Sequence, residues 1–212
     1  MKLNLVEKAK QSHEKKILEV GAGTGDFLAA CRRREWSCFG VEPSAQARET
    51  ARQFNNLNLL SSIEEIGEGR FSVITLWHVL EHISDLGETI LKLRNMLSEN
   101  GVLIIAVPNH NSFDAKHYKR TWAGYDVPRH LFHFNKQSLT SIIESKGFKL
   151  MKIKPMVFDS FYVSILSERY MRSYFIISNL KAILIGLISN VSALFTGESS
   201  SLILVFNKIE KS

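Results

Sequence analysis

Residues 16–42 read KILEVGAGTGDFLAACRRREWSCFGVE and combine two short apolar runs with a glycine-rich turn and an amphipathic stretch. The pattern predicts a strand over 16–20, a helix over 26–35 and a second strand over 37–41. A strand, a helix and a strand in this order form the unit from which parallel sheets are built. We therefore expect an α/β fold in which the first strand opens onto the glycines.

Three glycines, Gly21, Gly23 and Gly25, follow the first predicted strand. Glycine adopts positive φ angles in tight turns and lets a ligand approach the backbone closely. A dinucleotide fingerprint needs its third glycine one position later, where this chain has Asp26, and a carboxylate there repels a pyrophosphate. The loop therefore suits a cationic or zwitterionic ligand, and a nicotinamide-dependent oxidoreductase is the less favoured hypothesis.

Acidic residues stand on both sides of the glycines. Glu19 and Asp26 bracket the turn, and Glu42 follows the second predicted strand. In folds of this type, a carboxylate at the end of the second strand accepts hydrogen bonds from both hydroxyls of a ribose. The sequence thus indicates a ribose-binding carboxylate beside a negatively charged turn.

The rest of the chain continues the alternation and adds two insertions. We predict helices over 44–54, 86–97 (capped by Ser84) and 137–146, and strands over 57–60, 71–76, 102–107, 148–153 and 202–208. The connection 108–134 is far longer than usual and rich in histidine, which is typical of functional loops. We interpret residues 1–212 as a single domain with insertions at 108–134 and 157–201.

Four motifs in order, EVGAGTGDF, FGVEPS, LWHVLEHISD and GVLIIAVPN, resemble those of class I S-adenosylmethionine-dependent methyltransferases. The LEHI and VPN segments are most similar to the ubiquinone-biosynthesis O-methyltransferase branch. The resemblance implies a Rossmann-like three-layer sandwich with a seven-stranded, mostly parallel sheet whose last strand is antiparallel, and a helical insertion before that strand. It also implies S-adenosylmethionine as cofactor and S-adenosylhomocysteine as product.

The same resemblance implies which residues contact the cofactor. The methionine part would lie at the glycine loop, the ribose at Glu42 and the adenine beside LSSI. The fourth predicted strand would end at the cofactor site. The cofactor positions are Glu19, Gly21, Gly23, Gly25, Glu42, Ser62, Ile63, Trp77 and His78. Many family members have an aspartate near the adenine, and this chain departs from them with Ser62 and Ile63.

Methyl transfer from a sulfonium is an in-line displacement, so the enzyme supplies alignment and exclusion of water, and a base only for a protonated nucleophile. We expect no metal, because the histidines and carboxylates do not fall into a compact ligand spacing. Glu81 and His82 of the LEHI motif are interpreted mainly as part of a helix start and its packing.

The connection HNSFDAKHYKRTWAGYDVPRHLFHF supplies the catalytic candidates, because ligands bind over the carboxyl ends of the strands. His130 and His133 are candidate general bases, and Arg129 can hold an anionic substrate group. The alternative is structural: Arg129 pairs with Asp126, and the aromatic residues pack the loop.

The segment 157–201 contains the run FIISNLKAILIGLISNVSALF and must be helical if it is compact. A cap over the active site or a homodimer surface ranks first, peripheral membrane contact second, and a membrane span last because of Lys181 and the strand that follows. Arg169 and Arg172 stand beside aromatic residues and suit an anionic substrate or a lipid surface.

The composition limits which other classes of protein this chain can belong to. The chain has 212 residues, 45% of them hydrophobic and 23% charged, with a net charge of +6 and two cysteines, Cys31 and Cys38. We expect a cytoplasmic location, with membrane association as the alternative, and no nucleic-acid partner, since no basic stripe with interleaved aromatics occurs. The sequence therefore predicts a methyltransferase acting on a small-molecule acceptor, more often at oxygen than nitrogen; the alternative is a non-catalytic or regulatory module that binds S-adenosylmethionine.

Overall fold

The computed structural model describes residues 2–11, 13–67, 69–171 and 175–209. Short 3-10 turns separate some of the main elements. These elements are α1 (Lys2–Ala9), β1 (Lys16–Val20), α2 (Asp26–Arg32), β2 (Ser37–Val41), α3 (Ala45–Asn55), β3 (Phe71–Trp77), α4 (Leu86–Met96), β4 (Leu97–Pro108), α5 (Phe113–Tyr118), α6 (Lys136–Glu144), β5 (Phe148–Pro155), α7 (Asp159–Tyr170), α8 (Phe175–Thr196) and β6 (Ser201–Lys208).

The strands form one sheet in the order β2-β1-β3-β4-β6-β5. Strand β6 runs antiparallel to both of its neighbours, β4 and β5, while β1 pairs with β2 and β3, and β3 with β4, in parallel. The predicted α/β fold with an antiparallel last strand is therefore confirmed. Because β1 and β3 are parallel neighbours, their carboxyl ends open at the same edge of the sheet.

The predicted count of seven strands is wrong: the described residues contain six. The expected strand over 57–60 is reduced to a single bridge, in which Leu60 pairs with Val41 beside β2. Leu60 donates its N–H to Gly40 and accepts from Glu42, and the chain then turns into a short 3-10 helix, Ile63–Glu65. Leu60 makes both backbone hydrogen bonds of this contact, so the pairing is limited to a single bridge.

Helices cover both faces of the sheet. On one face, Ile90 of α4 and Leu139 of α6 pack in the same core as Leu18 and Ile74. On the other face lie α1, α2 and α3, whose buried residues share a core with the alternate strand positions. Helix α1 was not predicted from the sequence. Asp85 rather than Ser84 caps α4, since the Asp85 carboxylate accepts from Glu88 N–H.

The two insertions pack against each other. Helices α7 and α8 lie together before β6, so the predicted helical insertion is confirmed, and α5 of the long connection contacts α8. Asp114 of α5 is fully buried and accepts hydrogen bonds from Trp122 Nε1, Ser189 Oγ and Ser200 Oγ, each at 2.7 Å. One carboxylate thus joins α5, α8 and the approach to β6.

Candidate active site

The glycine loop adopts the conformation that its sequence predicts. Gly21, Gly23 and Gly25 have φ angles of 71°, 54° and 78°, which disfavour other residues. A Cβ on Gly21 would clash with Val79 Cγ2, whereas a Cβ on Gly23 would meet no atom within 4 Å. Gly21 is therefore required by packing, and Gly23 presents open backbone to a ligand.

Glu42 is bonded directly to this loop. Its Oε2 accepts from Gly23 N–H and its Oε1 from Ser44 N–H, both at 2.9 Å. A carboxylate oxygen can accept a second hydrogen bond, so each oxygen retains capacity for a ligand hydroxyl. The carboxylate is thereby oriented before any ribose arrives.

Glu19 lies behind the loop with only 4% of its surface exposed, and its Oε2 has no hydrogen-bond partner among the described residues. Burial raises the pKa of Glu19 to about 8, and the nearby Asp26 and Glu42 add to this, while Lys2 opposes it. A cationic ligand group beside Glu19 would favour the ionised carboxylate. The position therefore fits the ammonium end of an amino acid.

Lys2 is a candidate site residue that the sequence did not indicate. Its Nζ lies 4.6 Å from the ring centroid of Trp77, and α1 is held there by Leu5 and Val6 in the core that also contains Trp77. Burial lowers the pKa of Lys2, and the charges of Glu19 and Asp159 oppose that shift. A single lysine belongs to no motif that would mark it as a binding residue. Only the packing of α1 brings Lys2 to the loop.

Ser62 and Ile63 lie at the start of the 3-10 helix that follows the Leu60 bridge. The bridge pairs Leu60 with Val41, the residue before Glu42, so the turn is placed next to the carboxylate. Both residues are partly buried, and Ile63 packs against the core. The location agrees with the predicted adenine side, but no described contact tests that role.

His78 has a positive φ of 57°, a conformation that is uncommon for residues other than glycine and that occurs at functional sites. Its Nε2 lies 2.8 Å from Asp159 Oδ2 at the start of α7, and its Nδ1 lies 3.5 Å from Glu81 Oε1. Burial lowers the pKa of His78, but its interactions with the two carboxylates outweigh this and raise the pKa to about 9. The imidazolium thus links β3 to the helical insertion.

A cavity of about 350 Å³ lies beside His78, between the long connection and α7. Its lining includes the predicted residues Arg129 and His130 together with Glu81, Asp159 and Tyr162. A larger depression of about 630 Å³ lies around Arg70 and Lys92 and is lined by none of the predicted site residues. The smaller cavity is the one that adjoins the carboxyl ends of the strands.

The three catalytic candidates differ in their geometry. His130 Nδ1 is 2.9 Å from Gly124 O, its Nε2 lies 3.9 Å from Asp126 Oδ2, and burial lowers the pKa of this imidazole. Arg129 is exposed and pairs with Asp126 at 2.7 Å, as the structural alternative predicted. His133 Nε2 is bonded to Tyr125 O at 2.9 Å, and His133 does not line the cavity.

Glu81 is more central than its interpretation as a helix start suggested. It is 1% exposed, and neither of its carboxylate oxygens has a hydrogen-bond partner among the described residues. His130 Nε2 lies 4.0 Å from Glu81 Oε1, the same oxygen that lies 3.5 Å from His78 Nδ1. The LEHI motif was the available signal, and it marks a buried carboxylate within 4.0 Å of two imidazoles.

The sequence model of the family described as "Methyltransferase domain" matches residues 3–153, well over half of the chain. The chain belongs to this family. The match covers α1 from residue 3 onward, the glycine loop, Glu42, His78, His130 and β5 up to residue 153.

Relatives with assigned names support the same branch. The ubiquinone biosynthesis O-methyltransferase of Neisseria meningitidis serogroup C is 22% identical over 173 residues, which are 69% of this chain and 72% of that protein. The enzyme of the same name from Actinobacillus pleuropneumoniae serotype 5b is 29% identical over 116 residues, 49% of this chain and 50% of that one. For the Rhodopseudomonas palustris relative, with 25% identity, the match spans 41% of its length.

Solved structures confirm the fold. An S-adenosylmethionine-dependent methyltransferase from Thermotoga maritima, described as a possible histamine N-methyltransferase, gives a TM-score of 0.65 at 18% identity, covering 97% of this chain and 87% of that one. Phosphoethanolamine N-methyltransferase 2 from Haemonchus contortus, solved with S-adenosylmethionine, gives 0.60 at 14% identity over 99% of this chain and 52% of that one.

The prediction of an S-adenosylmethionine-dependent methyltransferase of the ubiquinone O-methyltransferase branch is confirmed by the family match and these relatives. The alternative of a non-catalytic module gains no support from them. The expected absence of a metal remains a prediction, as do the roles of the individual site residues.

We predict that Lys2→Ala weakens binding of S-adenosylmethionine by about tenfold, the loss expected for one charge-assisted hydrogen bond. The physical reason is that a carboxylate beside Glu19, Asp26 and Glu42 needs a cation, and Lys2 is the cation whose charge acts on Glu19. Calorimetric titration measures the affinity, with Lys8→Ala on the same helix as control.

Methylthioadenosine, which lacks the amino-acid end, should bind the wild type and Lys2→Ala equally, and Lys2→Arg should restore affinity for S-adenosylmethionine. Equal loss for both ligands would show that Lys2 acts on the fold of the site and not on the carboxylate.

Proposed function

We propose that this protein transfers the methyl group of S-adenosylmethionine to an oxygen atom of a small acceptor bound in the cavity between the long connection and α7. The observation that carries the proposal is that this cavity opens beside His78, directly after β3, where the cofactor side and the insertions meet. The O-methyltransferase name of the relatives favours oxygen over nitrogen.

The cofactor is proposed to lie along the carboxyl ends of β1 and β2. Glu42 accepts the ribose hydroxyls, and the open backbone at Gly23 receives the ligand chain. Glu19 binds the ammonium group and Lys2 the carboxylate of the methionine part. In this orientation the sulfonium lies toward Trp77 and His78, and its methyl group faces the cavity, which provides the alignment that in-line displacement needs.

His130 is the proposed general base. Its Nδ1 donates to Gly124 O, so the lone pair on Nε2 faces the cavity, and its lowered pKa keeps the ring neutral at neutral pH. The base takes the proton of the acceptor hydroxyl as the oxygen attacks the methyl carbon, and sulfur keeps the electron pair of the broken bond. Arg129 is proposed to hold an anionic acceptor group after release from Asp126, and His133 to position the loop through Tyr125.

The outer face of α8 is proposed to contact either a second copy of the chain or a membrane surface. Within residues 178–196 of α8, every exposed residue is apolar except Thr196, which ends the helix, and Lys181 is paired with buried Glu168 at 2.9 Å. Residues Ser178–Thr196 are long and apolar enough to cross a membrane by composition alone. A span is disfavoured, because β6 follows at once and pairs between β4 and β5.

We predict that His130→Ala lowers turnover roughly a hundredfold or more, as expected for loss of a general base, without changing affinity for S-adenosylmethionine. The assay follows S-adenosylhomocysteine release with catechol and caffeate as oxygen acceptors and histamine as a nitrogen acceptor. In the wild type, turnover should fall as pH drops through the lowered pKa of His130, since protonation removes the base, and should level off above it.

His133→Ala is the matched control and should retain most of the turnover, because its ring does not reach the cavity. If His130→Ala leaves both turnover and cofactor affinity unchanged, His130 is not the base. Transfer to histamine alone would contradict the oxygen assignment.

For α8, we predict that the double substitution Leu184→Gln with Leu187→Gln abolishes whichever association the wild type shows, because both side chains are more than half exposed at 55% and 52%. Light scattering measures dimer formation, and flotation with phosphatidylglycerol vesicles measures lipid binding. Leu91→Gln, an exposed leucine on α4, is the control. A wild-type protein that stays monomeric and does not bind vesicles would contradict both versions of the proposal.

A further inference from the structure

The walls of the cavity beside His78 are mostly polar, which is unusual for a small-molecule pocket. Among the described residues that line it, the side chains without a polar group are Pro108, Ala123, Val163 and Leu166. Most pockets of this kind have hydrophobic and aromatic walls with only a few polar groups. At about 350 Å³ the cavity also lies near the lower end of the usual range of about 300–1,000 Å³. The walls therefore favour a compact acceptor with several polar groups over an extended apolar one.

Two carboxylates of the lining can accept hydrogen bonds from such an acceptor. Asp126 Oδ1 pairs with Arg129 at 2.7 Å, while its Oδ2 lies 3.9 Å from His130 Nε2, beyond hydrogen-bond distance. Asp159 uses its Oδ2 in the contact of 2.8 Å with His78. The two side chains are 21% and 20% exposed. Because each contact occupies one oxygen, the other oxygen of each carboxylate can accept from a ligand hydroxyl.

The charges of the lining favour neutral hydroxyl groups inside the cavity. His78 and Arg129 are each paired with a carboxylate, and Glu81 adds a further buried acidic group. An anion in the interior would therefore be repelled by Glu81 and would find both cations already paired. The Arg129 side chain is 73% exposed, so an anionic group held there would be a substituent at the rim of the cavity.

Helix α7 contributes two aromatic rings to the same wall. The lining residues of α7 recur at helical spacing and share one face of the helix: Asp159, Tyr162, Val163, Leu166 and Tyr170. Tyr162 and Tyr170 are 65% and 55% exposed, so their rings are accessible to a ligand. A pyranose ring has hydroxyls around its edge and C–H groups on its faces, and those C–H groups pack against aromatic rings. Acidic acceptors and aromatic rings in one cavity therefore suit a sugar.

We propose that the acceptor is a carbohydrate, a pyranose ring that packs on Tyr162 and donates hydrogen bonds to Asp126 and Asp159. This inference rests on the proposed function, because it names the substrate class of the same site. One sugar hydroxyl gives its proton to His130 Nε2 as its oxygen bonds to the methyl carbon, and sulfur keeps the electron pair of the broken bond. The products are an O-methyl sugar and S-adenosylhomocysteine. A phenol with one hydroxyl would leave carboxylate oxygens of the cavity unpaired, which costs affinity.

The experiment offers the full chain the methyl glycosides of glucose, galactose, mannose and rhamnose, the 1-phosphates of the same sugars, and catechol. Saturation-transfer NMR with S-adenosylhomocysteine bound detects contact, and release of S-adenosylhomocysteine from S-adenosylmethionine measures transfer. We expect saturation of the ring protons of at least one sugar, and a kcat/KM for it at least about tenfold above that for catechol, as for one added hydrogen bond to a charged group. Comparison of glycosides with 1-phosphates shows whether the sugar carries a phosphate at the rim.

Two substitutions test the contacts with the sugar. Tyr162→Ala should raise KM for the sugar about tenfold with little change in kcat, whereas Tyr162→Phe, which keeps the ring, should not. Asp126→Asn should also raise KM about tenfold, and asparagine tolerates the positive φ of 37° at this position. The control is Phe54→Ala, an exposed aromatic residue of α3 that does not line the cavity, and it should bind the sugar as the wild type does.

The proposal is overturned if none of these sugars binds or accepts a methyl group, or if Tyr162→Ala and Asp126→Asn leave the affinity for the sugar unchanged. Thermal unfolding of each variant shows whether it is folded. The two proposals fail separately. Methylation of catechol by a protein that binds no sugar removes the carbohydrate assignment alone, whereas saturation transfer to a sugar without methylation of any acceptor removes the methyl-transfer assignment alone.

Discussion

The hydrogen bonds that Glu42 accepts from Gly23 and Ser44 join the end of β2 to the loop after β1. The loop can approach Glu42 only because Gly21, Gly23 and Gly25 adopt positive φ angles and because β1 and β2 are parallel neighbours in register. One carboxylate therefore holds the loop in shape and presents its remaining lone pairs to a ligand. Glu19 is placed beside the loop by β1, and Lys2 by the packing of α1.

A second link connects this frame to the insertions. His78 follows β3 in a strained conformation and is bonded to Asp159, the first residue of α7. Asp114 also joins α5 to Ser189 of α8 and to Ser200, so the two insertions are held to each other and to the approach to β6. The cavity lies beside these contacts, and residues of both insertions line most of the proposed acceptor site.

The sequence predicted the frame well because its signals are local. Gly21 and Glu42 are recognisable by their positions after short apolar strands, and the structure places both at the carboxyl ends of β1 and β2. The strand predicted over 57–60 forms only a single bridge. The residue types in so short a segment do not show how many of its residues pair with a neighbouring strand.

The acceptor side could not be predicted in the same way. Lys2 and Asp159 have partners distant in sequence, and Glu81 lies near His130 as well as near its neighbour His78, so no spacing rule connects these residues. The motif RHLFHF favoured His130 over His133 only by its position after Arg129, and it could not show that His130 lines the cavity while His133, bonded to Tyr125 O, does not. Arg172 lies outside the described residues, so its predicted pairing with a substrate or lipid is not examined by the structure.

The central claim is that Glu42 forms the ribose end of a cofactor site that this chain uses. Calorimetric titration with S-adenosylmethionine and S-adenosylhomocysteine tests it most directly, comparing the wild type with Glu42→Ala and with Glu49→Ala, an exposed glutamate on α3. We expect Glu42→Ala to lose about tenfold or more in affinity for both ligands, as for loss of hydrogen bonds to a charged group, and Glu49→Ala to lose none. Unchanged affinity in a folded Glu42→Ala protein would contradict the assigned site.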